Sequence, residues 1–213
     1  MVCTGNAARS PMAAAMLRAL DTAGKLDIRS AGILVAEGHP IGARTGRALT
    51  RHGLTDRRHR SKQLHKSDCG DADLVVVMEP RHIQWVRVNL PEIADITGSL
   101  RRLVRDLPTP AAVEQKDNVI TAKTNADTDS PYTSAEVLDA ETTAESKAGI
   151  NPSAHAEAVN VEDLKKRIAA LKLADIDPEP WEEVVDPGFG VQEDFDSCSD
   201  ELQQLVAELY HKF

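Results

Sequence analysis

Aromatic side chains are scarce in this sequence, at 3% of its 213 residues. Long apolar runs are missing too. The longest covers a handful of residues, against the roughly 20 that a membrane-crossing helix needs. Three cysteines are too few for a disulfide scaffold at this length. The opening Met1-Val2-Cys3-Thr4-Gly5 has neither a basic stretch nor an apolar core, so no secretory signal is readable in it. The seven histidines and three cysteines show no close ligand spacing, and no metal or cofactor is expected. The chain is 41% hydrophobic, which is enough for a core. Together these features exclude a membrane protein, a small secreted domain and a wholly disordered chain. The expectation is a globular cytoplasmic protein.

Charge of one sign is lacking from each half in turn. Residues 1–105 hold 17 Lys and Arg against 10 Asp and Glu, whereas residues 106–213 hold 8 against 24. The basic half would favour an anionic substrate. Taken alone, the asymmetry is no more than a solvated face on each half. The basic residues are scattered and few aromatics are present to stack bases, so no nucleic-acid partner is expected.

The pattern along the chain alternates between strand and helix. Residues 11–22 are strong helix formers, with Met12, Met16, Leu17 and Leu20 on one face and Ser10 as the expected cap. Residues 26–30 alternate as a short strand, and 41–52 read as a helix that stops at Gly53. After a basic loop, 54–66, residues 73–79 form a continuous apolar run suited to a buried parallel strand. Pro80 opens a helix, 93–96 read as a last short strand, and Ser99 caps a turn of helix to Leu107. This order gives an α/β fold. Residues 108–160 differ: they hold 9 acidic residues, 3 Lys, no Arg and one aromatic, Tyr132. They read as an acidic disordered insertion within a single domain, 1–213. Asn160 caps a helix at 161–173. A final helix at 193–211 carries the stripe Phe195, Cys198, Leu202, Leu205 and Leu209. Cys198 belongs to that core stripe, and Cys69 is expected to be inert.

One segment carries chemistry: Cys3-Thr4-Gly5-Asn6-Ala7-Ala8-Arg9-Ser10. A Cys followed six residues later by Arg and then by Ser or Thr arises by chance in ~0.03 chains of this composition. Gly5 and Asn6 tolerate the left-handed backbone of a tight anion-binding loop. The loop empties into a helix N-terminus, where free N–H groups favour an oxyanion. Arg9 adds a planar two-pronged donor. The same positive surroundings should favour a Cys3 thiolate nucleophile, and Ser10 can donate to its sulfur. A leaving oxygen needs an acid. Asp186, in Val184-Val185-Asp186-Pro187-Gly188-Phe189-Gly190, is the candidate.

These segments together resemble the low-molecular-weight protein tyrosine phosphatases, a superfamily shared with the thioredoxin-type arsenate reductases. The resemblance runs through Val2–Ala13, Ser30-Ala31-Gly32, Arg51-His52-Gly53, Val77-Met78-Glu79 and Asp186-Pro187. It implies a four-stranded parallel sheet flanked by helices, with the cysteine loop at the end of the first strand. It further implies a phosphomonoester hydrolase acting through a phosphocysteine. Cys3 would be the nucleophile. Arg9 and the loop from Thr4 through Ala7 and Ala8 would hold the phosphate, and Asp186 would serve as general acid and base. Phe189 would line the substrate slot. Ser30 and His59 would brace Asn6, with His59 placed by aligning Gln63 to a family glutamine. The substrate would be a phosphorylated protein or a small phosphoester, with arsenate the alternative.

The sequence also departs from this family. Only Met1 and Val2 precede the cysteine where a whole strand is usual, so the first strand should be largely missing and a start upstream of Met1 is expected. Gly188 and Phe189 stand where two aromatics are usual, and Thr4 where a larger apolar residue is common. Ala8 cannot form a disulfide with Cys3. Cys69 and Cys198 lie too far apart in sequence for an arsenate reductase relay, which leaves a reductase using an external low-molecular-weight thiol as one alternative. A non-catalytic phospho-ligand binder or a truncated remnant is the other. A partner for the acidic insertion has no sequence signature.

Overall fold

The computed structural model describes residues 1–110 and 159–213. The expected acidic insertion, with Tyr132, lies outside the described residues except at its two ends. Met1–Pro110 and Glu157–Phe213 form one compact unit. Its strands are β1 (Val2–Cys3), β2 (Ala31–Gly32), β3 (Val75–Val77) and β4 (Thr97–Ser99). Its helices are α1 (Arg9–Leu20), α2 (Ala43–Arg51), α3 (Pro80–Asn89), α4 (Leu100–Asp106), α5 (Val161–Leu171) and α6 (Gln192–Tyr210). All strand pairs are parallel, in the order β2-β1-β3-β4.

Alternation along the strands sorts side chains into two layers. Val2, Val75 and Val77 face one side, with Ile83 and Val86 of α3. Cys3, Val76 and Met78 face the other, with Met12 of α1, Leu49 of α2, Leu103 of α4 and Leu202 of α6. The two-residue β1 is central. Val2 pairs with Ala31 on one side and Val77 on the other, so the shortness of the first strand does not open the sheet. The chain leaves β1 for β2 on one flank and for β3 and β4 on the opposite one. In an open parallel sheet, the crevice at the carboxyl end of such a strand is where ligands bind. That end carries the cysteine loop.

The helix starts follow local chemistry. Ser99 Oγ accepts from Arg102 N at 3.1 Å, and Asn160 Oδ1 accepts from Asp163 N at 3.1 Å. Ser10 does not cap α1: Ala8 stands at that position without a side-chain bond, and Ser10 lies inside the helix. Two strands also fall later than the pattern indicates. The register sets Val2 against Ala31, so residues 26–30 precede the paired positions. Residues 93–96 form a 3-10 turn opened by Pro91, and the strand falls on Thr97-Gly98-Ser99. Gly98 suits that place because a Cβ there would come 2.9 Å from the Leu103 side chain.

Gly32 is also held to its small size. A Cβ on it would lie 2.5 Å from Thr4 O and 2.8 Å from Asn6 N, against the cysteine loop itself. Gly32→Ala is therefore expected to push the loop outward and to cost ~1–3 kcal/mol. Urea denaturation would read the stability loss, and calorimetric titration with inorganic phosphate would read the loss of anion binding.

Candidate active site

The loop after β1 turns through Asn6, whose φ is 50°, while Gly5 keeps a negative φ. The left-handed residue is thus Asn6 rather than Gly5. Asn tolerates that conformation at low cost. Its side chain, fully buried, ties the turn down on three sides. Asn6 Nδ2 donates to Ser10 Oγ at 2.9 Å and Ser30 Oγ at 3.1 Å, and its Oδ1 accepts from Lys62 N at 2.9 Å. His59 Nε2 donates to Asn6 O at 2.9 Å. Gln63 holds the segment that follows β2, donating to Ile33 O and accepting from Val35 N. The structure therefore brings Ser30 and His59 together at Asn6.

Cys3 Sγ lies 3.0 Å from Ser10 Oγ. Ala31 O is 3.2 Å from the same hydroxyl. Ser10 has one proton and two acceptors in reach, so a thiolate at Cys3 can draw that proton from Ala31 O toward sulfur. Arg9 is 1% exposed and forms the hub of the site. Its Nη1 meets Glu79 Oε1 at 2.9 Å and donates to Val184 O at 3.1 Å. Its Nη2 bonds the Asp186 carboxylate and reaches Thr4 Oγ1 at 3.3 Å. Cys3, Thr4, Gly5, Ala7, Ala8, Arg9, Asp186, Gly188 and Phe189 all line one cleft of about 630 Å³. Phe189 stands fully exposed at its rim.

Several residues at this site escaped the sequence-based reading. Thr45 of α2 donates to Ala7 O at 3.0 Å. Arg44 and Arg47 line the cleft, and Phe195, which the stripe assigns to the core, lines it as well. Glu79, at the end of β3, touches Arg9, Arg81 at 2.8 Å and His82 at 3.0 Å. His82 Nε2 also lies 3.0 Å from Thr4 Oγ1. Burial pushes the His82 imidazole down from its ordinary value. Its Nδ1 has no hydrogen-bond partner among the described residues, so a proton there would be unsatisfied. The only available signal for Glu79 and His82 was their place just after a buried apolar strand.

Cys69 and Cys198 sit in separate core clusters. Burial raises both thiols, Cys198 to about 12. Among the described residues no group of three or more His, Cys, Asp and Glu is placed to hold a metal ion, and no helix is long and apolar enough to cross a membrane.

Residues 1–117 match the family model for low molecular weight phosphotyrosine protein phosphatases. The chain belongs to that family. It is accordingly a phosphatase, acting on phosphorylated proteins or phosphoesters. A protein-arginine-phosphatase of Geobacillus stearothermophilus is 37% identical over 103 residues, which are 48% of this chain and 68% of that one. A probable low molecular weight protein-tyrosine-phosphatase, EpsP, of Ralstonia nicotianae is 36% identical over the same shares. Among solved structures, the YwlE arginine phosphatase of G. stearothermophilus superposes with a TM-score of 0.61 at 23% identity, covering 99% of this chain and 88% of that one. A low molecular weight protein tyrosine phosphatase from T. tengcongensis gives 0.60 at 22% identity, covering 100% and 96%. At these identities the structures establish the shared fold.

Glu79 supplies a pH prediction. Burial works against its charge, but the His82 hydrogen bond and the Arg9 charge outweigh it and hold the carboxyl at about 2, below the ordinary 4.5. The unfolded chain therefore binds the proton first as pH falls. The stabilisation is fully present above pH 4.5 and is lost on the way down to pH 2. It amounts to ~3 kcal/mol. Glu79→Gln should lower stability at neutral pH by a similar amount and flatten the dependence across that interval. Chemical denaturation of both proteins at several pH values checks it.

Proposed function

We propose that this phosphatase works through a phosphocysteine formed on Cys3. The observation that carries the proposal is the convergence of Cys3, Arg9 and Asp186 on one cleft, with Arg9 bonded to Asp186. Arg9 and the loop N–H groups bind the phosphoryl oxygens, so Arg9 exchanges its Asp186 partner for the substrate. This exchange releases the carboxyl group beside the leaving atom. Cys3 Sγ attacks phosphorus as the bond to the leaving oxygen breaks, and Asp186 gives that oxygen its proton. Asp186 then takes a proton from water, which attacks phosphorus and breaks the S–P bond. Inorganic phosphate leaves, and the Cys3 thiolate is restored with Ser10 as its donor. A thiolate nucleophile suits the reducing cytoplasm.

The substrate is taken to be a phosphorylated side chain of a protein. Identities of 37% and 36% to arginine and tyrosine phosphatases do not separate the two side chains. Both would present the same phosphoryl group to Arg9. A reductase relay through Cys69 and Cys198 draws no support, because both are buried and sit in separate core clusters.

Hydrolysis of an aryl phosphate tests the chemistry. Cys3→Ser should abolish turnover, while Asp186→Ala should slow it by ~100- to 10,000-fold. Asp186→Ala should still bind inorganic phosphate, because Arg9 and the loop remain. Turnover by Cys3→Ser at the wild-type rate would refute the phosphocysteine. Phosphotyrosine and phosphoarginine peptides assayed side by side would then identify the side chain.

A further inference from the structure

Glu182 lies outside the cleft and is fully buried, which is unusual for a carboxylate. Its Oε1 accepts from Arg102 Nη2 at 2.5 Å and from Glu179 N at 2.8 Å, and its Oε2 accepts from Ser99 Oγ at 2.5 Å. Arg102 is itself buried and also lies over the Trp181 ring, 5.3 Å from its centroid. Arg105 approaches the same ring at 4.0 Å. Residues 179–182 are thereby clamped to α4 and to the end of β4. Two residues on, Val184 is pinned as well: its N donates to Met78 O at 2.8 Å and its O accepts from Arg9 Nη1 at 3.1 Å. Beyond Val184 the chain is held by Arg9 on Asp186 and by the buried Pro187, while its other side chains turn outward. Val185, Phe189 and Val191 are exposed, and the Asp186 side chain is 37% exposed.

A buried ion pair is costly to desolvate, and an apolar pair of similar volume could often replace it without loss of stability. What an apolar pair cannot do is fix direction. The Glu182 carboxylate receives donors from α4, from β4 and from its own turn, which hold in place the segment leading to Asp186. We propose that the Arg102–Glu182–Ser99 cluster is a positioning device for the general acid, setting how far Asp186 reaches toward the leaving oxygen. It rests on the assignment of Asp186 as that acid. Neither Arg102 nor Glu182 lines the cleft or touches Cys3 or the phosphate loop.

A displaced acid has a kinetic signature that a loosened fold does not share. Esters of strongly acidic phenols leave without a proton, whereas esters of phenol itself need one. The experiment measures kcat/KM over a series of aryl phosphates, from dinitrophenyl to phenyl, for the full chain and for Glu182→Gln, Arg102→Lys, Asp186→Ala and the double variant Glu182→Gln/Asp186→Ala. The expected result for Glu182→Gln and Arg102→Lys is dinitrophenyl phosphate hydrolysis within ~3-fold of wild type and a loss of ~10-fold or more on phenyl phosphate. Inhibition by inorganic phosphate should stay unchanged. In the Asp186→Ala background Glu182→Gln should add nothing further, as two changes acting through one group do. A uniform loss across the series, or an additional loss in the double variant, would overturn the inference. A steep series for Asp186→Ala with series for Glu182→Gln and Arg102→Lys parallel to wild type would overturn it while leaving the acid in place. A flat series for Asp186→Ala would remove Asp186 as the acid and the positioning role with it. Arg102→Lys keeps the buried charge, so it provides the same readout if Glu182→Gln does not fold.

Discussion

A guanidinium withdrawn from water must have its charge and its five donors met within the protein. Arg9 meets that demand with groups from three stretches far apart in the chain. Thr4 comes from its own loop, Glu79 from the end of β3, and Val184 O and Asp186 from the segment before α6. Removing any one of these leaves a buried charge short of a partner, which is why the three stretches must converge. The phosphate loop, the sheet and the acid-bearing segment are thus joined through one side chain. A dianionic phosphoryl group can compete with Asp186 for the outer edge of Arg9, while Glu79 keeps hold of the inner edge.

Buried pairs and surface pairs do different work here. Arg29 with Asp27 and Asp71 is largely exposed, and such pairs contribute little to stability. Arg9–Glu79 and Arg102–Glu182 are enclosed, and they bracket the segment that ends in Asp186. Val184, with both its N and its O engaged, lies between the two. Asp186 itself bonds Arg9 and lines the cleft.

The parts legible in sequence were those whose cause is local. The caps at Ser99 and Asn160, the apolar stripe of α6, and the Cys-to-Arg spacing all depend on neighbours within a few residues. The strands were harder to locate. β2 and β4 carry Gly32 and Gly98, which weaken any β pattern, and their places are set by what packs against those glycines rather than by propensity. Ser10 illustrates the same limit. A Ser before Pro at a helix start reads as a cap, yet its hydroxyl turns to Cys3 and Asn6. Glu79, His82 and Glu182 left no periodic trace because, beside their local contacts, each has a partner distant in the chain: Arg9 for Glu79, Thr4 for His82, and Ser99 and Arg102 for Glu182.

In the proposed mechanism, chemistry and substrate choice reside in different layers of this molecule. The inner layer, Cys3 with Asn6, Arg9 and Ser10, is buried and cross-bonded, so a substitution there disturbs several partners at once. The rim is built differently. Arg44 reaches over Phe195 at 6.0 Å, Arg47 bonds Gln192, and Phe189 is bare to solvent. Changes at such positions break few contacts and cost little stability. A phosphatase can therefore keep its loop and exchange its rim. Two relatives named for different phosphorylated side chains resemble this chain almost equally, at 37% and 36% identity.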